Sequence, residues 1–256
     1  MAEGWPLAIA CGVLAGLANV TGGMLAVGAR TWDHVRQSYL VAFGAGFMLA
    51  AVILRMIPES YRLNVATSGD AGKAFSVGAL LLAGYLLVHF AEHVLLGHFH
   101  FGEETHHEHW VKPVVGTTAL VGLALHTFFD GISIGSGFLV TPTLGILVAI
   151  AVFLHKVPEG FTVASIMVAA GRTRRDAVLS ASLLGAVTVV GVASISVWSS
   201  FLHVALPLSA GAGLYVAASD LIPAVNEAKG VGKPLAVFGG VFLFAATEMA
   251  LEAFGL

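Results

Sequence analysis

The chain has 256 residues, 57% hydrophobic and only 11% charged, with a formal net charge of −3 and a mean hydropathy of +0.90. A soluble domain carries about 25% charged residues, so a water-soluble enzyme is a poor reading, and no basic groove for nucleic acid appears. The single cysteine, Cys11, excludes an intrachain disulfide and any multi-cysteine metal site, and reads as a small apolar filler.

Long apolar stretches with few charges read as transmembrane helices of about 20 residues. The N-terminal run lacks a preceding basic residue and carries Glu3, so it reads as a retained first helix rather than a cleaved signal. In chain order the windows predict helix 1 over about 6–28, helix 2 over 38–57, helix 3 over 74–97 and helix 4 over 113–139. Helix 5 follows over about 143–170, helix 6 over 176–201, helix 7 over 206–225 and helix 8 over 233–254. The whole of 1–256 reads as one transmembrane domain.

Lys and Arg collect in cytoplasmic loops. With an outside N-terminus, the inner loops hold Arg30, Arg36, Lys112, Arg172, Arg174, Arg175, Lys229 and Lys233, whereas the outer loops hold Arg62 and Lys73. Both termini are therefore expected outside. Arg55 and Lys156 fall inside or at the end of helices.

Two echoes run through the chain. "GAGFMLAAVILRMIPES" in helix 2 resembles "GAGLYVAASDLIPAVNE" in helix 7, and "LHTFFDG" in helix 4 resembles "LHKVPEG" in helix 5. A three-helix unit, a helix pair and a second three-helix unit related by inversion fit both, which is a transporter signature. Chance likeness between helices rich in small residues is the alternative.

Residues four apart share a helix face. His126 with Asp130, and His155 with Glu159, therefore project together, and a short link near "LVTPT" makes helices 4 and 5 antiparallel neighbours. At 1.5 Å per residue both pairs lie near mid-membrane. Two uncompensated acids there cost several kcal/mol each. A divalent cation removes that cost, and nitrogen and oxygen ligands suit zinc, iron, manganese or cadmium. A metal-free cluster of ion pairs and hydrogen bonds is the competing arrangement. Pro158 frees the carbonyl of Leu154 and is expected to kink helix 5.

These motifs resemble those of the ZIP (Zrt/Irt-like) divalent-metal transporters. "HTFFDG" is similar to the family's helix-4 motif, His-Asn/Ser-x-x-Glu/Asp-Gly, and "HKVPEG" to its helix-5 motif, His/Gln-x-x-Pro-Glu-Gly. The resemblance covers the whole chain. It implies eight spans in a 3+2+3 arrangement, metal uptake toward the cytoplasm, and transport-site ligands at His126, Asp130, His155 and Glu159. Met48 matches a position that supplies a thioether in some members; an apolar core methionine is the alternative. The chain departs from the family's two-metal pattern. Thr127 and Lys156 stand where Asn and Asp would be ligands, and the helix-6 run "AVLSASLLGAVTVVGVASISVW" carries no acid. The Lys156 ammonium is expected to stand in for a second cation, unless it snorkels to the surface.

The segment 98–112 reads as a His-rich cytoplasmic loop. With the end of helix 3 it supplies His93, His98, His100, His106, His107 and His109, a composition that binds metal; an ordinary solvated loop is the alternative. His89, Glu92 and His93 share one face of helix 3 by spacing and extend the expected exit route. Asp220 and Glu248 are embedded acids without evident partners.

The chain thus reads as a non-enzymatic carrier of divalent metal, zinc first, in a lipid bilayer. The competing classes are an intramembrane metalloenzyme and a metal-sensing membrane protein. No H-E-x-x-H and no G-x-x-x-x-G-K-[ST] occurs, which leaves no zinc-protease or nucleotide signature. No catalytic cofactor is expected, and a homodimer is compatible with the sequence. The short loops favour a prokaryotic plasma membrane over an organelle.

Overall fold

The computed structural model describes residues 4–28, 34–65, 71–95, 113–223 and 230–255. Among these are eight helices long and apolar enough to cross a membrane, and no strand. Helices 1 to 4 are Trp5–Gly28, Gln37–Asn64, Lys73–His93 and Gly116–Val140. Helices 5 to 8 are Pro142–Ala169, Arg174–Val197, Ser199–Leu221 and Gly232–Ala253. The architecture is all-α. The loop histidines His98, His100, His106, His107 and His109 lie outside the described residues.

Helices 1, 4, 5 and 6 pack on one another, as do helices 2, 3, 7 and 8; helix 4 meets helix 7, and helix 2 meets helix 5, across the seam. In lipid, helix association rests on close packing rather than on escape from water, and glycine permits the closest approach. A Cβ built on Gly160 would stand 1.9 Å from the Asn19 carbonyl oxygen of helix 1, and one on Gly131 2.2 Å from the Thr188 carbonyl oxygen of helix 6. The glycine that ends each His-x-x-x-acid-Gly motif is therefore a crossing point.

The crossings recur in matched pairs. Gly46 meets Val237 and Gly240 meets Phe43 where helices 2 and 8 touch; Gly211 meets Leu81 and Gly84 meets Leu208 where helices 7 and 3 touch. Gly22 meets Val157, and Gly191 meets Phe128. Gly16 of helix 1 meets Gly185 of helix 6, each backbone against the other.

Helix 2 runs on to Asn64, beyond its expected end near Pro58. A proline lacks the N–H that would bond the carbonyl four residues back and crowds that carbonyl. Here the turn ahead of it, Val52–Met56, widens to π-helix, which takes up the misfit. Helix 7 does the same over Val216–Leu221 ahead of Pro223. That helix also starts earlier than expected, through a 3₁₀ turn at Ser199–Phe201, and carries Pro207. The carbonyl four residues before Pro207, that of His203, accepts a hydrogen bond from Asn64 Nδ2 at 3.0 Å. Helices 4 and 5 are joined by Thr141 alone; its side chain accepts from the Leu144 N–H at 3.1 Å, and Pro142 opens helix 5.

Gly160→Ala should lower the thermal midpoint in detergent by a loss of at least about 1–3 kcal/mol, the usual cost of overpacking. Gly78→Ala, whose Cβ would meet only the Tyr61 hydroxyl at 3.6 Å, should leave it unchanged or raise it. Equal midpoints for the two variants would show that the glycine crossing does not hold helix 1 against helix 5.

Candidate metal centre

His126, Asp130, His155 and Glu159 are all buried, and one ligand atom from each lies within 4.8 Å of the others. Helices 4 and 5 bring them together, since each motif projects its histidine and acid from one face. His126 Nε2 and His155 Nε2 are each 3.2 Å from Asp130 Oδ2, and 3.8 and 3.9 Å from Glu159 Oε2. Four ligands about 2.0–2.1 Å from a tetrahedral zinc ion stand about 3.3 Å apart, so these separations need little adjustment to hold one. His155 Nδ1 is 3.0 Å from the Ala151 carbonyl, where it must donate; a neutral ring then keeps its lone pair on Nε2, facing the acids. Neither nitrogen of His126 has a hydrogen-bond partner.

Lys156 does not snorkel. It is completely buried, with Nζ 2.7 Å from Asp130 Oδ2 and 2.5 Å from Glu159 Oε2. It thus holds the same two oxygens that face the histidines, rather than standing beside them. Thr127 accepts from Lys156 at 3.1 Å and donates to Glu159 Oε1 at 2.6 Å. Asn19, on helix 1, donates to the same oxygen at 3.1 Å. Glu159 is therefore fixed through one oxygen and left with the other for Lys156 and the imidazoles. Asn19 escaped the sequence reading, although it and Thr21 are the only polar side chains in "AGLANVTGG".

A second group meets on the far side of His126. Glu92 of helix 3, Asp220 of helix 7 and His126 each place one ligand atom within 4.8 Å of the others, and all three are buried. Glu92 Oε1 is 3.6 Å from His126 Nδ1. The expected face of helix 3 is split. Glu92 turns inward beside Val88, whereas His89 and His93 are exposed, with ring centroids 4.1 Å apart. Positions three and four apart subtend an arc wide enough for the edge of the core to pass between them. Glu248, which seemed unpartnered, pairs with Arg55 at 3.0 Å. Met48 is buried in the apolar core, its methyl carbon 3.3 Å from where a Cβ on Gly213 would stand.

The family model of the ZIP zinc transporters matches residues 111–248, more than half of the chain and both motif helices. The chain belongs to the ZIP family. Zinc transporter ZIP13 of Pongo abelii is 27% identical over 223 residues, 80% of this chain and 63% of that protein. Zinc transporter zipt-7.2 of Caenorhabditis elegans is 30% identical over 148 residues, half of this chain and 31% of its own. Zinc transporter ZIP9 of Micropogonias undulatus is 28% identical over 176 residues, 64% and 55% respectively. The chain thus spans less than two thirds of the length of these relatives. Family and helices together make it a multi-pass integral membrane protein. These relatives are animal proteins and give no support to a prokaryotic source.

Removing Lys156 leaves two buried carboxylates facing each other. Lys156→Met should destabilise the metal-free protein by about 3–5 kcal/mol, the usual cost of stripping one partner from a buried ion pair. Added Zn2+ should then raise its thermal midpoint more than it raises that of the unmodified chain. An equal metal-induced rise in both would show that Lys156 does not balance this charge.

Proposed function

We propose that this ZIP-family chain carries divalent transition-metal ions, zinc foremost, across a membrane by alternating access around the centre between helices 4 and 5. The observation that carries the reading is the ligand-like spacing of two imidazoles and two carboxylates at the seam between two four-helix groups. That the relatives are named zinc transporters supports zinc as cargo; iron, manganese and cadmium use the same ligand types. His126, Asp130, His155 and Glu159 would hold the ion, with Met48 as a further proposed donor. The charge bias of the loops supports outside termini and uptake toward the cytoplasm.

The cluster has two carboxylates and one ammonium, so with neutral imidazoles it is one negative charge short of matching a divalent ion. Entry of the ion brings it within a few ångströms of Lys156, and that repulsion weakens retention. Loose retention suits release, and it leaves room for one ion at this centre rather than two. Short loops are the one feature supporting a plasma-membrane placement.

In proteoliposomes, Glu159→Ala and His126→Ala should abolish saturable zinc or cadmium uptake while leaving a monodisperse protein; flux like that of the unmodified chain would refute the site. A metal sensor would bind the ion and show no flux at all. Uptake should also fall as pH drops, because imidazole and carboxylate must shed protons to ligate. A flat profile from about pH 5 to 7.5, which brackets the free imidazole value, would exclude histidine ligation.

The segment 98–112 is proposed as a cytoplasmic tuning element. Replacing His106, His107 and His109 with serine should lower metal retention and preserve flux. Complete loss of flux in a folded variant would place the loop in the pathway itself.

A further inference from the structure

The groups around Glu159 divide between its two oxygens. Lys156 and the two imidazoles face Oε2. Oε1 receives the Thr127 hydroxyl at 2.6 Å and the Asn19 amide at 3.1 Å. A carboxylate oxygen offers about two lone-pair positions, so donors take both on Oε1. Glu159 is left to approach an ion through Oε2 alone.

The two donors come from different helices. Thr127 lies on helix 4, inside the motif. Asn19 lies on helix 1, 140 residues away in sequence, and is completely buried. Its main-chain carbonyl oxygen is the atom that a Cβ on Gly160 would strike, at 1.9 Å. The residue after Glu159 thus seats the backbone of Asn19, while Glu159 itself holds the side chain. A buried amide is costly unless both of its ends are paired, and Asn19 Oδ1 has no hydrogen-bond partner. Leucine, of similar volume, would serve packing better. The amide therefore stands here for the one bond it makes, the donation to Glu159.

We propose that Asn19 is a positioning residue that sets which ions the centre accepts: with Thr127 it occupies Glu159 Oε1, keeps this carboxylate a one-oxygen ligand, and so favours zinc over larger cations. Zinc is satisfied by four ligands in a tetrahedron, which two imidazoles and one oxygen from each acid supply. Larger ions such as cadmium and manganese take about six ligands, and a carboxylate that chelates through both oxygens is a ready source. Asn19 closes that source without touching the ion. Lys156 has a different effect: bound to Oε2, it competes with every divalent ion alike.

The proposal rests on the reading of this cluster as the transport centre, and the test separates the two. Zn2+ and Cd2+ are titrated separately into the full chain in detergent, and apparent affinities are taken from the rise of the thermal midpoint. Glu159→Gln marks the share of each rise that belongs to the centre. Asn19→Leu should weaken Zn2+ at the centre about tenfold and leave Cd2+ bound at least as tightly as in the parent chain. The preference for zinc over cadmium then falls by about the same factor or more. A merely structural role would lower both affinities together. An unchanged zinc-to-cadmium ratio in folded Asn19→Leu overturns the proposal. If leucine prevents folding, Asn19→Ala and Thr127→Val each remove one donor from the same oxygen and carry the same expectation and the same refutation. A Glu159→Gln chain that keeps the full rise with both metals would instead remove the central site itself, and the proposal with it.

Discussion

Two carboxylates in the middle of an apolar bundle need positive charge, and the rest of the centre follows from how that need is met. Lys156 meets half of it, bound at 2.7 and 2.5 Å to Asp130 and Glu159. Its aliphatic stem rises from helix 5 one residue after His155, so ammonium and imidazoles approach the same oxygens from different sides. Thr127 and Asn19 take the remaining capacity of Glu159. A buried ionic group is tolerable only when its other hydrogen-bonding positions are filled, and here small polar side chains do this. His126, with neither ring nitrogen hydrogen-bonded, stays the least constrained member.

The backbone makes such a centre possible. Helix 1 can reach Glu159 with a side chain as short as asparagine because Gly160 and Gly22 let the two helices touch main chain to main chain. Helix 6 sits equally close to helix 4 through Gly131 and Gly191, yet presents buried Thr188, whose hydroxyl turns back to the Leu184 carbonyl at 3.3 Å. The same framework is therefore used twice, with different side chains on it. Symmetry belongs to the packing and asymmetry to the polar residues: Lys156 against Thr127, Asn19 against Thr188.

The spans and the meeting of His126, Asp130, His155 and Glu159 were legible in the sequence because both depend on short-range rules. Twenty apolar residues make a span, and a four-residue spacing makes a face. The echo between "GAGFMLAAVILRMIP" and "GAGLYVAASDLIP" was legible too, but not that each proline follows a π-helical turn, since helix 2 was expected to stop near Pro58. Contacts among three helices left no local trace. Glu92, Asp220 and His126 come from helices 3, 7 and 4, and spacing alone grouped Glu92 with His89 and His93, which face outward. Asn19 lay hidden for the same reason: nothing in helix 1 tells which helix it crosses.

The one-residue link between helices 4 and 5 bears on how the protein enters its membrane. Asp130 and Lys156 are partners within a single hairpin joined by Thr141, as are Thr127 and Glu159. A polar helix presented alone to lipid carries the full cost of its ionised groups. Helices 4 and 5 emerging as a pair can neutralise each other before helices 6, 7 and 8 have been made. The charge pairing at the centre thus also gives these two charge-bearing spans a route into the bilayer during synthesis.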